Sequence, residues 1–277
     1  MRPAALITDL DGTLLDKNAL CSPRNRKCLE HLGERGILRS IATGRTLFSA
    51  RKAISPDFPI DYLIFSTGAG VMDWAKQELI FSAHLQSSEI QPLLAALQAE
   101  QMDFMVHAPM PENHHFVYRQ NTATNPDFFS RLALYPGYFQ PWETDLLPWE
   151  EITGILIITP PEETLKRFDW LVTNWPQYQI IRATSPLDMV SGWLEVFPRH
   201  ISKSQTSDWL VNLHQLQREQ VLAVGNDYND VDLLAWAGSA CVVANAPSDL
   251  RQHYREVASH CQDGFSEAVE QWLHGCD

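Results

Sequence analysis

The sequence predicts an α/β protein: a Rossmann-like parallel sheet core with helices on both faces, plus an inserted α+β domain. Three observations predict it. Short apolar runs alternate with helical stretches at both ends of the chain, the pattern that builds a parallel sheet flanked by helices. Clusters of Asp, Asn, Thr and Gly follow directly on three of those runs, and open parallel sheets carry ligand sites at the carboxyl ends of their strands. Between residues 82 and 184 the alternation gives way to a different mixture of strands, helices and Pro- and aromatic-rich chain. Residues 1–81 and 185–277 are therefore read as the core domain and 82–184 as an insertion.

In order along the core, AALITDL (4–10) is a strand and SPRNRKCLEHLGERG (22–36) a helix. Ser22 is placed to cap that helix, with Pro23 at its first position and Gly36 at its end. ILRSIAT (37–43) reads as a strand, TLFSARKAI (46–54) as a helix and DYLIFST (61–67) as a strand. VMDWAKQELIF (71–81) reads as a hairpin. Within the insertion, SSEIQPLLAALQAEQ (87–101) is helical, while FMVHA (104–108) and HHFVYR (114–119) are strands. Residues 125–150 read as irregular; a strand at 153–159, a helix at 163–175 and a strand at 179–185 follow. The final part returns to alternation: helix 201–216, strand 221–225, helix 228–238, strand 239–245 and helix 248–259.

Composition excludes several classes of function. Lys plus Arg total 21 against 34 Asp plus Glu, a formal net charge of −13, which disfavours a broad nucleic-acid surface but leaves room for a local anion pocket. No stretch approaches the ~20 apolar residues of a membrane span, and the N-terminal apolar run is too short for a secretory core. Cys21, Cys28, Cys241, Cys261 and Cys276 form no CxxC pair and read as reduced thiols of a cytoplasmic protein, not as a zinc site. The expected partner is a small molecule, with no nucleic acid and no membrane; the sequence does not set the oligomeric state.

Four clusters carry chemistry. In ITDLDGTLLD (7–16), Asp9 and Asp11 are two apart at a strand end, so both carboxylates face one side. Two close carboxylates call for a hard cation such as Mg²⁺; an Asp-Gly turn is the plainer alternative. In ATGR (42–45), Thr43 and the amides around Gly44 suit a phosphate oxygen at a helix start, or form a simple strand–helix junction. Lys203, in HISKSQTSDWL, opposes the helix dipole from the first turn; it is either a solvated surface lysine or one turned to an anion. In VLAVGNDYND (221–230), Asn226, Asp227, Asn229 and Asp230 crowd a strand end, where side chains of these types both cap helices and bind hard metals.

These four clusters, in this order, resemble the haloacid dehalogenase-like hydrolase superfamily, and within it the Cof-type and sucrose-phosphate-phosphatase-like phosphatases. The match covers roughly 1–70 and 190–245, and the insertion has the position and size of that group's cap. The resemblance implies an Mg²⁺-dependent phosphatase of a small phosphorylated metabolite, a sugar phosphate foremost, acting through an aspartyl-phosphate. It gives Asp9 the role of nucleophile and Asp11 that of acid and base. Thr43, Gly44, Arg45 and Lys203 would hold the phosphoryl group; Asp9, Asp11, Asn226 and Asp230 would hold the metal, with Asp227 as the alternative to Asp230. Cap side chains such as His107, His114, His115, Tyr118 and Arg119 are candidates for specificity. Two positions depart from the pattern: Asn226 stands where relatives carry Asp, and Thr67-Gly68-Ala69 where close relatives carry Asn-Gly-Ala. Two other functions compete, a phosphomutase on a sugar phosphate and a non-catalytic metabolite-binding relative.

Overall fold

The chain is described by a computed structural model over residues 2–143 and 146–275. Its first part lays down β1 (Ala5–Thr8), α1 (Pro23–Glu34), β2 (Leu38–Ala42), α2 (Leu47–Ala53), β3 (Tyr62–Phe65), β4 (Gly70–Asp73) and β5 (Glu78–Ser82). Ser22 caps α1 by accepting from the Asn25 amide at 3.0 Å. The insertion follows with β6 (Leu85–Gln86), α3 (Ser87–Ala99), β7 (Asp103–His107), β8 (Phe116–Arg119), α4 (Pro126–Ala133) and β9 (Phe139–Pro141). It continues through β10 (Glu151–Ile152), β11 (Gly154–Thr159), α5 (Pro161–Asn174), β12 (Tyr178–Thr184) and β13 (Gly192–Pro198). The last part adds α6 (Lys203–Leu213), β14 (Val221–Gly225), α7 (Val231–Trp236), β15 (Ser239–Val243), α8 (Ser248–His253), β16 (Arg255–Val257) and α9 (Gly264–His274).

Two compact units result. One comprises Met1–Arg45, Ser49–Phe81 and Ser202–Asp277; the other comprises Thr46–Phe48 and Ser82–Ile201. In the first, eight strands run in the order β16-β15-β14-β1-β2-β3-β4-β5. From β16 to β3 every pairing is parallel, and β4 turns back antiparallel on β3. The buried strands are nearly continuous apolar runs, as a sheet covered on both faces requires. Ala5, Ile7, Ile64, Val221, Ala223 and Val242 form its interior with Leu210 and Val211 of α6 and Leu233 and Leu234 of α7.

The second unit is built on a six-stranded sheet, order β12-β13-β11-β7-β8-β9, with β6 and β10 as a separate pair. Its larger core joins Ile90, Leu93, Leu94 and Leu97 of α3 to Phe104, Val106, Ile155, Ile157, Leu194 and Val196 of the sheet.

Several elements differ from expectation. The insertion's sheet takes in β13, to which the sequence reading assigns no element, so the unit runs to Ile201 rather than to 184. Residues 125–150 are not irregular throughout: α4 begins at Pro126 behind Asn125, whose side chain accepts from the Phe128 amide at 3.2 Å. The expected helix over 248–259 stops at His253, because Tyr254 is extended (φ −119°, ψ 160°) and β16 then pairs with β15. The expected helix over 228–238 opens as a single tight turn, Tyr228–Asp230, before α7. Cys21, Cys28, Cys241 and Cys261 are free thiols; Cys276 lies outside the described residues. No helix among the described residues is long and apolar enough to cross a membrane.

Candidate active site

β1 lies between β14 and β2, with Thr8 level with Val224 on one side and Ile41 on the other. The three parallel strands therefore release Asp9, Thr43 and Asn226 at the same edge of the sheet. Asp9 is buried, and its amide donates to the Val224 carbonyl at 2.8 Å. Its Oδ1 accepts from Lys203 Nζ at 2.7 Å, and the same ammonium donates to Asp230 Oδ1 at 2.6 Å. Lys203 is wholly buried at the first position of α6, behind the cap Ser202. Two carboxylates thus offset both its desolvation and its unfavourable place at the positive end of the helix dipole. Burial pushes the Asp9 carboxyl up to about 7 against the pull of Lys203, and Asp230 adds to the rise. Burial acts downward on Lys203, but Asp230 and Asp9 together hold its ammonium above the usual lysine range.

Asp11 is gripped from the next strand. Arg45 donates to it from Nε at 2.6 Å and from Nη2 at 2.7 Å, and its Nη1 reaches the Ser49 carbonyl at 3.0 Å. A two-pronged pair of this kind fixes the carboxylate's direction as well as its charge. The loop that carries Arg45 is knitted to the turn after β3: Ser66 N donates to the Arg45 carbonyl at 2.8 Å, and Thr67 N to the Thr43 carbonyl at 3.0 Å. Thr43 Oγ1 accepts from the Arg45 amide at 3.1 Å. A Cβ on Gly44 would lie 3.5 Å from Thr67 Oγ1, so Thr67 borders the phosphate loop that the sequence predicts.

Asn226 closes the space between the two aspartates. Its side-chain terminus lies 3.1 Å from Asp9 Oδ2, 3.1 Å from the Asp11 carbonyl and 3.0 Å from Thr13 Oγ1. With Nδ2 turned inward it donates to these oxygens. With Oδ1 turned inward it accepts from Thr13, and three acceptor oxygens face one another. An all-oxygen set including a carboxylate is the donor chemistry of a hard divalent cation, so Asp9, the Asp11 carbonyl and Asn226 fit Mg²⁺. Gly12 permits the approach: its φ is +72°, and a Cβ there would meet Asn226 Nδ2 at 2.9 Å.

The sequence-predicted residues thus come together, and Asp230, Asp227 and Arg45 have partners other than those expected. Asp230, predicted as a metal ligand, has Oδ1 on Lys203 and Oδ2 on the amides of Asn226 at 2.8 Å and Asp227 at 3.1 Å. It positions the lysine and the loop. Asp227, its alternative, joins Asp230 in capping the turn at Tyr228–Asp230. Arg45, predicted to hold phosphate, is paired with Asp11. Sequence reasoning missed two supports. Asn245 donates to the Gly12 carbonyl at 2.8 Å, and Asp232 accepts from the Ser204 amide and hydroxyl at the start of α6. The Asn at the end of an apolar run was the one signal for Asn245; nothing local marks Asp232. Of the residues named for specificity, His107 is buried on the Asn113 carbonyl at 2.9 Å, and Arg119 is tied to Trp142 and Gln98.

Residues 6–269 match the model of the haloacid dehalogenase-like hydrolases. The chain belongs to this family. It is similar to the HMP-PP phosphatase of Yersinia enterocolitica serotype O:8 / biotype 1B, 24% identical over 96% of this chain and 93% of that protein. Among solved structures it resembles a haloacid dehalogenase-like hydrolase from Bacteroides thetaiotaomicron, with TM-score 0.72 and 20% identity over 98% and 99% of the two chains. It also resembles a sugar phosphatase of haloacid dehalogenase subclass IIB, with TM-score 0.77 and 18% identity over 97% and 98%. At these identities the two structures speak to the fold. This family member is a hydrolase with an α/β fold built on a parallel core sheet.

Proposed function

We propose that this hydrolase is an Mg²⁺-dependent phosphatase of a small phosphorylated metabolite, foremost a sugar phosphate. The observation that carries the reading is the buried Asp9–Lys203–Asp230 triad, set beside Asp11 and the Thr43-Gly44 loop at one sheet edge. The name of the HMP-PP phosphatase it resembles supports a small phosphorylated metabolite as substrate. In this reading the inserted unit carries substrate specificity.

Asp9 attacks phosphorus: a carboxylate oxygen bonds to it as the bond to the leaving oxygen breaks, giving an aspartyl-phosphate. Asp11 supplies the proton that the leaving oxygen takes. It then accepts one from the water that attacks the aspartyl-phosphate, and inorganic phosphate and free Asp9 result. Acid duty requires Asp11 to turn from Arg45 to the leaving oxygen, because both of its carboxylate oxygens accept from the guanidinium. Lys203, the Gly44 amide and Thr43 face the charge that develops on the phosphoryl oxygens. Mg²⁺, when bound by Asp9, the Asp11 carbonyl and Asn226, supplies charge neutralisation at the phosphoryl group. Phosphate release from a panel of phosphorylated sugars and nucleotides, with Mg²⁺ and with chelator, tests the reading. Release that needs Mg²⁺ and falls at least ~10³-fold in Asp9→Asn supports it; release undiminished in that variant overturns the mechanism.

A further inference from the structure

The second unit holds a cluster of a different chemistry. β7 and β8 pair antiparallel with His107 opposite Phe116, and residues 108–115 connect them. The connection is fixed by its own backbone: Ala108 N donates to the His115 carbonyl and His115 N to the Glu112 carbonyl, each at 2.9 Å. His107 braces it from below through the Asn113 carbonyl at 2.9 Å. On this frame Glu112, His114 and His115 bring one ligand atom each to within 4.8 Å of one another. Glu112 Oε2 is 3.6 Å from His114 Nε2 and 3.9 Å from His115 Nε2. The imidazoles are aligned by packing: the His114 and His115 ring centroids are 4.5 Å apart, and Tyr138 sets its edge against both, at 4.9 and 5.0 Å. His114 is buried while Glu112 is exposed, so the cluster is anchored on one side and open on the other.

Those separations are too long for hydrogen bonds. An ion pair would need a protonated ring, and two charged imidazoles this close repel. A metal ion with bonds of about 2.1 Å holds its ligand atoms roughly 3.0–3.5 Å apart, and the three ligand atoms here already lie within 4.8 Å of one another, with the two Glu112 pairs at 3.6 and 3.9 Å. We propose that Glu112, His114 and His115 form a binding site for a borderline transition-metal ion, Zn²⁺ or its neighbours Co²⁺ and Ni²⁺. Two imidazoles and one carboxylate suit such ions and are a poor set for Mg²⁺, which takes oxygen ligands. Three protein ligands leave a further position for water or an external group. The two metal chemistries of the chain are thereby separated: all-oxygen at Asp9 and Asn226, nitrogen-rich at the β7–β8 connection.

Zn²⁺ is titrated calorimetrically into the full chain in excess Mg²⁺, and Co²⁺ binding is followed by its visible absorption. Glu112→Gln and His115→Ala are the informative variants, because both side chains are at least partly exposed and neither substitution opens a core. The expected result is one equivalent of Zn²⁺ bound despite the Mg²⁺, weakened at least tenfold by each variant and unchanged in Asp9→Asn. Uptake that both variants leave intact, uptake abolished by Mg²⁺ or by Asp9→Asn, or no uptake at all overturns the proposal.

Discussion

Lys203 shows how a single side chain sets the terms of the site. It is wholly buried between Asp9 and Asp230, at 2.7 and 2.6 Å, and removing one member of such a group leaves uncompensated charge in a dry interior. Lys203→Met therefore costs about 3–5 kcal/mol of stability, read by urea denaturation at fixed pH. A loss below ~1 kcal/mol would mean that water or protonation already relieves the pair. Asn226 is the complementary case, a neutral group beside the acidic ones. In the metal-free protein its Nδ2 can donate to Asp9 Oδ2 and to the Asp11 carbonyl, which a carboxylate cannot do. Asn226→Asp is expected to lower the melting temperature in chelator, enlarge the rise produced by Mg²⁺ and reduce the Mg²⁺ concentration that activity requires. Complete loss of Mg²⁺ stabilisation in the variant would place the cation elsewhere.

Elements hold these residues by close approaches that only some residues allow. Gly68 has φ +110°, and a Cβ there would stand 2.4 Å from the Ser202 carbonyl oxygen at the start of α6. Thr206 Oγ1 also donates to the Gly68 carbonyl at 2.7 Å, so the turn after β3 and the helix bearing Lys203 are seated on each other. Gly68→Ala is expected to cost at least ~2 kcal/mol, through both strain and overlap. An equal loss of phosphate release at saturating substrate should accompany it as Lys203 is displaced. A variant of unchanged stability and turnover would show that the seat is not needed. Asp9, Asp11 and Lys203 stood out in the sequence because a charge beside an apolar run or at a helix start is locally costly, and Thr43 because Thr-Gly follows directly on an apolar run. Asp230 reads there only as a metal ligand and its contact with Lys203 is not foreseen, since Asn226, Asp227, Asn229 and Asp230 are alike on paper. Only the tight turn at Tyr228–Asp230 decides which one points at Lys203. β16 was hidden for a similar reason: it is a three-residue run whose strand character comes from its pairing with β15.

At the scale of the molecule, two buried groups in different units give stability opposite dependences on pH. Asp9 is raised by burial from 3.8 to about 7, so the folded core binds a proton that the unfolded chain has lost. Its contribution is fully present below about 3.8 and is lost as pH rises through 7. His107 is lowered to about 3, first by burial and then by Arg131, against the Asn113 carbonyl. Its contribution is fully present above about 6.5 and is lost as pH falls towards 3. Asp127, raised by burial, partly opposes His107 at the acid end of that range. Between pH 4 and 6.5 each of the two groups has a slope of up to about 1.4 kcal/mol per pH unit, with opposite signs. The units have separate apolar cores and are expected to melt as separate transitions. Calorimetry in chelator should show the core transition flattening upward with pH in Asp9→Asn relative to wild type. The insertion's transition should lose part of its acid sensitivity in His107→Phe. Mg²⁺ should raise the core transition alone, because a bound cation keeps Asp9 ionised and removes its slope. A single transition that both variants shift in the same direction would show instead that the two units unfold as one and that these local titrations do not govern them.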